Sequence, residues 1–208
     1  MCVYINQIMP TKFKNTNKDS GGNRTFKCNL KCSQCTGTTR GGGRCKNRVC
    51  QGVVLCHQHR KSVKLKVKQS GIARAGKGLF AWEPSNGGNI FKKGDTIGYY
   101  RGELISNKRM DKRYGKTGNA PYTVATSRSS VAGNTNKNID AGCKRGLMSL
   151  ANGSRGMSGA NARFIDNIRP DKTIAVKATK NIQHNKEIVL HYGKAYFDSM
   201  KKNTNKTR

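Results

Sequence analysis

Carboxylates are scarce in this chain. Its 208 residues hold 10 Asp and Glu against 41 Lys and Arg, for a formal net charge of +31. Between Asp19 and Glu83 there is no acidic residue, while the same stretch carries 14 Lys and Arg. A solvated surface normally mixes both signs, so this block presents a field of one sign and favours polyanionic partners, nucleic acid first among them. Long apolar runs are missing too. None approaches the roughly 20 residues that span a bilayer. The start, Met1-Cys2-Val3-Tyr4-Ile5-Asn6, lacks the basic segment and apolar core of a secretory leader. The expectation is an intracellular protein with no membrane partner. In a reducing compartment its eight cysteines serve more readily as metal ligands than as disulfides. Apolar residues make up 34% of the chain, enough for one modest core.

Composition divides the chain into four parts. Residues 1–27 are rich in Lys, Asn, Ser and Gly and read as a basic disordered tail, as do residues 199–208. Residues 28–60 form a Cys/His-rich block, and residues 61–198 hold the main domain. Val63-Lys64-Leu65-Lys66-Val67-Lys68 alternates strictly, which predicts a half-buried strand with a basic outer face. Further short strands are expected at 79–82, 96–100, 174–178 and 187–192. The best helical stretch runs from Glu103 to Arg113. Short strands with little helix predict a mainly β fold.

Within the Cys/His block, Cys35 and Cys45 are followed by Cys56-His57-Gln58-His59. Cys35, Cys45, Cys56 and His59 supply three thiolates and one imidazole, the closed tetrahedral donor set of structural Zn2+. Gly41, Gly42 and Gly43 allow a tight turn between the first two ligands. The run is similar to a small zinc-binding motif of many viral and bacterial proteins. Cys32 forms a C-x-x-C with Cys35 and is an alternative ligand. A second, incomplete site from Cys28, Cys32, Cys50 and His57 is a further reading, as are buried free cysteines with no metal. A segment this polar needs a staple to fold.

Four short patterns follow in fixed order: Gly76-Lys77-Gly78-Leu79-Phe80, Tyr100-Arg101-Gly102-Glu103, Asn152-Gly153-Ser154, and Glu187-Ile188-Val189-Leu190-His191-Tyr192-Gly193. Together they resemble a SET domain, the fold of most protein lysine methyltransferases. The resemblance covers roughly the C-terminal two-thirds of the chain. It implies a SET fold of short sheets with little helix, preceded here by a small zinc module. That module does not match the nine-cysteine cluster that precedes some SET domains.

The resemblance also implies roles. Lys77, Gly78 and Leu79 would contact S-adenosylmethionine through the main chain, with Asn152, Gly153, Tyr192 and Tyr196 around the same cofactor. Tyr100 and Tyr192 would be the catalytic tyrosines. Adjacent strand residues face opposite ways, so only one of Tyr99 and Tyr100 can line the site, and Tyr100 is favoured. Phe164, Leu190 and Phe197 would line the lysine channel. Glu187 reads as structural, and Cys143 as a buried apolar residue. The chain departs from the family at Gly153, where a histidine is usual. Neither Phe164 nor Leu190 carries a hydroxyl, which predicts di- or trimethylation.

The reading is a protein-lysine N-methyltransferase acting on a histone or other basic, nucleic-acid-packaging protein. Nucleic acid would bind through the basic N-terminal region. The location would be the nucleus, or a viral factory or virion if the source is a large DNA virus, which the Asn/Lys-rich composition would suit. A rival reading is a nucleic-acid-binding zinc protein with an inactive SET core. A third is methylation of a non-histone target, the protein's own lysines included.

Overall fold

The computed structural model describes residues 16–18, 24–27, 33–49, 55–56, 58–59, 63–73, 75–83, 87–114, 120, 122–154 and 156–192. In chain order the strands are β1 Thr16–Lys18, β2 Arg24–Lys27, β3 Ser33–Gln34, β4 Arg48–Val49, β5 Leu65–Gln69, β6 Lys77–Ala81, β7 Asn89–Phe91 and β8 Thr96–Arg101. They continue with β9 Glu103–Ile105, β10 Thr123–Ala125, β11 Asn138–Asp140, β12 Asn152–Ser154, β13 Ala162–Phe164, β14 Thr173–Ala178, β15 Ile182–Gln183 and β16 Val189–His191. The helix Asn107–Tyr114 and a 3-10 turn at Leu147–Leu150 lie between them. The fold is mainly β, as the sequence predicts. Within the stretch read as an N-terminal tail, β1 and β2 pair antiparallel.

The largest sheet has the order β12-β16-β13-β14-β8. Its late strand β16 sits between two earlier ones and pairs parallel with both β12 and β13. This threading brings the Asn152-Gly153-Ser154 pattern beside the Glu187–Tyr192 pattern, although more than thirty residues separate them. β14 lies between β13 and β8, antiparallel to each. All of its residues but Lys177 are buried, so it reads as an apolar run rather than an alternation. A second sheet has β11 between β10 and β9, with every residue of β11 buried.

β5 and β6 form a hairpin whose register pairs Val67 with Leu79 and Leu65 with Ala81 on the core face. The other face pairs Lys66 with Phe80 and Lys68 with Gly78. The expected basic outer face is present. The Lys66 ammonium lies 3.7 Å above the centroid of the Trp82 ring, a cation–π contact that holds an otherwise solvated side chain.

One expectation is corrected. The helix predicted over 103–113 begins only at Asn107, and Glu103-Leu104-Ile105 is strand β9. Those three residues pair with Asn138–Asp140, and a ladder on a buried partner outweighs their helical propensity. Ser106 starts the helix. Its hydroxyl accepts the Arg109 N–H at 3.2 Å, the bond of an N-cap.

The core is one cluster that includes Leu79, Ile139, Ile174, Val176, Ile188 and Leu190, each fully buried. Burying a side chain of this size contributes about 1.5–3 kcal/mol. Asp140 is also fully buried. Its carboxylate accepts the Arg113 guanidinium, the Tyr114 hydroxyl at 2.8 Å and the Gly142 N–H at 2.7 Å. Arg113 also pairs with Glu103. This satisfied network ties the helix to β9 and β11.

Candidate active site and metal centre

Three rings meet above the large sheet. Phe164 at the end of β13 lies edge-on to Tyr100 of β8, with centroids 5.5 Å apart and an interplanar angle of 87°. It stacks near Tyr192, just past β16, at 6.4 Å and 17°. Tyr100 is 3% exposed, and its hydroxyl donates to the Tyr122 carbonyl at 2.7 Å. Burial, then the nearby Tyr192 phenol and the Asp140 carboxylate, push its ionisation well above the ordinary tyrosine range, so it stays a neutral phenol. Tyr99 lies on the other face of β8, with the Arg169 guanidinium 4.8 Å from its ring centroid.

Tyr192 is half-buried. Its hydroxyl donates to the Ala151 carbonyl at 2.8 Å, and its N–H reaches the Ser154 carbonyl at 3.4 Å. The ring therefore lies along the Ala151–Ser154 backbone, over Gly153. A Cβ at Gly153 would stand 2.2 Å from Tyr192 Cδ2. Glycine at this position makes room for the ring.

The same strand carries Asn152. Its side-chain amide donates to the Lys77 carbonyl at 3.2 Å and to Glu187 Oε1 at 2.8 Å. The Gly76-Lys77-Gly78 turn, Asn152-Gly153 and Tyr192 are thus brought to one place. Gly76 has φ +71°, a left-handed conformation natural to glycine, with open space where a Cβ would project. The near neighbour of Gly78 is the Glu187 carboxylate, 2.2 Å from an ideal Cβ. Glu187 also accepts Ser70 Oγ at 2.7 Å and the Gly71 N–H at 3.0 Å. It fastens the glycine turn to β12, the structural use expected of it. Leu79 faces the core, and its carbonyl accepts the Ile188 N–H at 2.7 Å.

Leu190 is fully buried, aligned with Gly153 on one side and Ala162 on the other. It lies in the core cluster against which Phe164 and Tyr192 pack. Tyr196 and Phe197 lie outside the described residues. Cys143 is half-buried and disulfide-bonded, in contrast to the buried apolar residue expected. Sequence reasoning did not find Asn161, whose side chain donates to the Glu187 carbonyl and accepts the Val189 N–H, clamping the entry to β16. It also missed the Ala151 and Tyr122 carbonyls. Main-chain acceptors leave no sequence signal.

The Cys/His block brings together the four residues of the first-choice set. The ligand atoms of Cys35, Cys45, Cys56 and His59 all lie within 4.8 Å of one another. A hairpin positions the first two: Cys35 N–H donates to the Asn47 carbonyl, and Cys45 N–H to the Gly37 carbonyl. Gly42 turns it at φ +79°. Cys45 and Cys56 sulfurs are 3.9 Å apart, and His59 Nδ1 is 3.3 Å from Cys56 Sγ and 3.5 Å from Cys35 Sγ. Zn–S bonds of about 2.3 Å at a tetrahedral angle place two sulfurs about 3.8 Å apart, so the donors fit zinc. His59 Nε2–H donates to the Thr38 carbonyl at 2.8 Å, which leaves Nδ1 to face the cluster. Burial raises the Cys56 thiol, but hydrogen bonds from Asn47 and His59 outweigh it and bring it down to about 5. Hydrogen bonds to Cys56 and Thr38 hold His59 up at about 9. Cys28, Cys32, Cys50 and His57, the alternative ligands, lie outside the described residues.

The sequence profile of the SET domain matches residues 76–193, more than half of the chain. The chain belongs to the SET domain family. It matches no curated protein. Among solved structures it is similar to the Chaetomium thermophilum polycomb repressive complex 2, with 20% identity and TM-score 0.47 over 73% of this chain and 17% of that one. It is also similar to Neurospora DIM-5, a histone lysine methyltransferase, with 20% identity and TM-score 0.47 over 63% of this chain and 52% of that one. A third is the methyltransferase domain of human PR domain-containing protein 2, with 16% identity and TM-score 0.45 over 63% of this chain and 77% of that one. The chain thus spans well under a fifth of the polycomb chain's length.

Proposed function

We propose that this protein is an S-adenosylmethionine-dependent protein-lysine N-methyltransferase. The observation that carries the reading is the convergence of Tyr100, Phe164 and Tyr192 beside the Asn152-Gly153 strand, which Asn152 links to the Gly76–Gly78 turn. The open turn at Gly76 is a suitable cradle for the cofactor's main-chain contacts, with Lys77, Gly78, Asn152 and Gly153 around it. When bound, S-adenosylmethionine supplies an electrophilic methyl group. The protein's part is to orient and desolvate the lysine. Aromatic walls favour the neutral amine over the ammonium, and alignment supplies much of the rate. A phenol of ordinary pKa about 10 is a weak base, so Tyr192 orients the amine and polarises the methyl. Its hydrogen is committed to Ala151, which leaves its oxygen lone pairs for that task.

The substrate we propose is a lysine of a histone or another nucleic-acid-packaging protein, in the nucleus. Nucleic acid, held by the basic N-terminal region, would offset the repulsion between two basic proteins. Zn2+ on Cys35, Cys45, Cys56 and His59 would hold the N-terminal module together.

The second reading, an inactive SET core, draws on the missing histidine at Gly153. The Tyr192 ring occupies the space beside that glycine, which supports a rearranged site over an emptied one. Calorimetric titration with S-adenosylmethionine, followed by a radiolabelled-methyl assay on nucleosomes, free histones and the protein alone, separates the two. Cofactor binding with label on any of the three supports the enzyme. No binding and no label leaves the nucleic-acid-binding reading.

A further inference from the structure

We propose that the lysine accepted by this site lies among acidic neighbours and not in a run of Lys and Arg. The inference rests on the methyltransferase reading and narrows its substrate. Within a chromatin protein it singles out lysines flanked by Asp and Glu.

The argument begins with what the described carboxylates do. Reading a basic peptide requires free carboxylates, and nearly all of those described are already engaged. Glu83 pairs with Lys64 at 3.2 Å, and Glu103 with Arg109 and Arg113. Asp140 is buried under Arg113 and Tyr114. Asp95 accepts the Lys92 N–H at 2.8 Å. Asp166 accepts both the N–H and the hydroxyl of Ser127. Asp171 takes the Thr173 hydroxyl at 2.7 Å and Arg169 at 3.5 Å. Glu187 is held by Ser70, Gly71 and Asn152. Asp111 is exposed, but on the helix between Lys108 and Lys112. The two remaining acidic residues of the sequence, Asp19 and Asp198, lie outside the described residues.

The surroundings of the three rings are cationic instead. Arg101 follows Tyr100 in β8, and exposed Arg163 precedes Phe164 in β13. Arg145 packs 3.8 Å from the Tyr122 ring, whose carbonyl holds the Tyr100 hydroxyl. Exposed Arg128 donates to the Asp166 carbonyl at 3.1 Å, two residues past Phe164. A field of this sign draws acidic segments toward the site and repels basic ones.

The same field assists the chemistry. The ammonium must lose its proton to solvent before reaction, and surrounding positive charge disfavours the charged form. The freed nitrogen lone pair then forms the N–C bond while the S–C bond breaks with its electron pair to sulfur. The products are a methylated ammonium and S-adenosylhomocysteine. A substrate that carries its own flanking cations gains nothing in binding. A substrate with flanking carboxylates docks readily and leaves the site's cations to act on the amine.

The test uses the full chain with S-adenosylmethionine in excess. Three peptides differ only in the residues around one lysine: Asp/Glu, Ser/Gly, or Lys/Arg. The expected order in kcat/KM at low salt is acidic, neutral, basic, with roughly tenfold or more between the ends. The ratio should shrink as salt screens the field. The variants Arg128→Glu and Arg163→Glu should narrow it without changing cofactor affinity. S-adenosylmethionine binding with transfer favouring the basic peptide, independent of flanking charge, or absent from all three, overturns the acidic-flank proposal alone. No cofactor binding and no transfer to any peptide or protein overturns the methyltransferase reading beneath it.

Discussion

The Tyr192 ring rests directly on the backbone of Gly153. An ideal Cβ at Gly153 would stand 2.2 Å from Cδ2 and 2.4 Å from Cγ of that ring, far inside van der Waals contact. The tyrosine hydroxyl is anchored on the neighbouring Ala151 carbonyl at 2.8 Å. Ring and strand therefore form one unit, and its register is set by parallel pairing of β12 with β16. A side chain at 153 has to push the ring away from Phe164 or break its hydroxyl anchor.

Gly153→Ala should therefore destabilise the fold by about 1–3 kcal/mol, the usual range for overpacking, and depress methyl transfer beyond what that loss of folded protein explains. Gly153→His, which restores the residue usual in the family, should do no better. Denaturant unfolding beside a single-turnover assay checks both. Wild-type transfer in either variant would show that the ring has room to move.

Tyr192→Phe leaves the ring and removes the hydroxyl. Loss of the bond to Ala151 should cost only about 0.5–1.5 kcal/mol of stability. Transfer should fall by roughly 10²-fold or more, as when one preorganised polar group is deleted from an active site. The dissociation constant for S-adenosylmethionine should stay within twofold or so, since one net hydrogen bond is the most that is lost. Undiminished turnover would remove Tyr192 from the chemistry.

Product multiplicity is decided by the room beside the amine. With phenylalanine at 164 and leucine at 190, mass spectrometry at long reaction times should find di- or trimethyl lysine. Phe164→Tyr should shift products toward monomethyl. It is the better of the two test positions, because Leu190 is fully buried and a tyrosine there would cost about 1–3 kcal/mol in overpacking. A strict stop at one methyl in the parent protein would mean that another group fills the space.

Metal analysis should return about one zinc per chain, as a four-donor Cys3His set requires. Cys45→Ser or a chelator should unfold the 28–60 module first, because binding free energy in such modules is folding free energy. Thiolates and a neutral imidazole are needed for binding, so zinc should be released as pH falls, and a metal indicator at pH 5 against pH 8 reads the difference. Two zincs per chain would bring Cys28, Cys32 and Cys50 into the ligand sets.

Nucleic-acid binding should be sequence-tolerant and steeply salt-dependent. Deleting residues 1–60, which carry a dense block of Lys and Arg, should flatten the slope of log affinity against log salt. An unchanged slope would place the contact surface on the SET domain.

Local chemistry made part of this protein legible in advance. The spacing of Cys35, Cys45, Cys56 and His59 pointed to the cluster found, because soft ligands close in sequence need only one hairpin to converge. The alternation of residues 63–68 gave away the β5–β6 hairpin, since a period of two needs no distant partner to be recognised. The order of the four motifs disclosed the family, and with it a mainly β fold. The rest was decided by contacts between distant segments. Glu103–Ile105 became a strand because Asn138–Asp140 lay beside it, overriding a helical pattern. Glu187 became the fastener of the glycine turn because β16 is threaded between β12 and β13. The seating of Tyr192 on Gly153 and its anchor on a backbone carbonyl depend on that same threading. Carbonyls are identical at every residue, so a sequence names the side chains of a site but not the main-chain groups that hold them. Those are assigned only when the chain closes on itself.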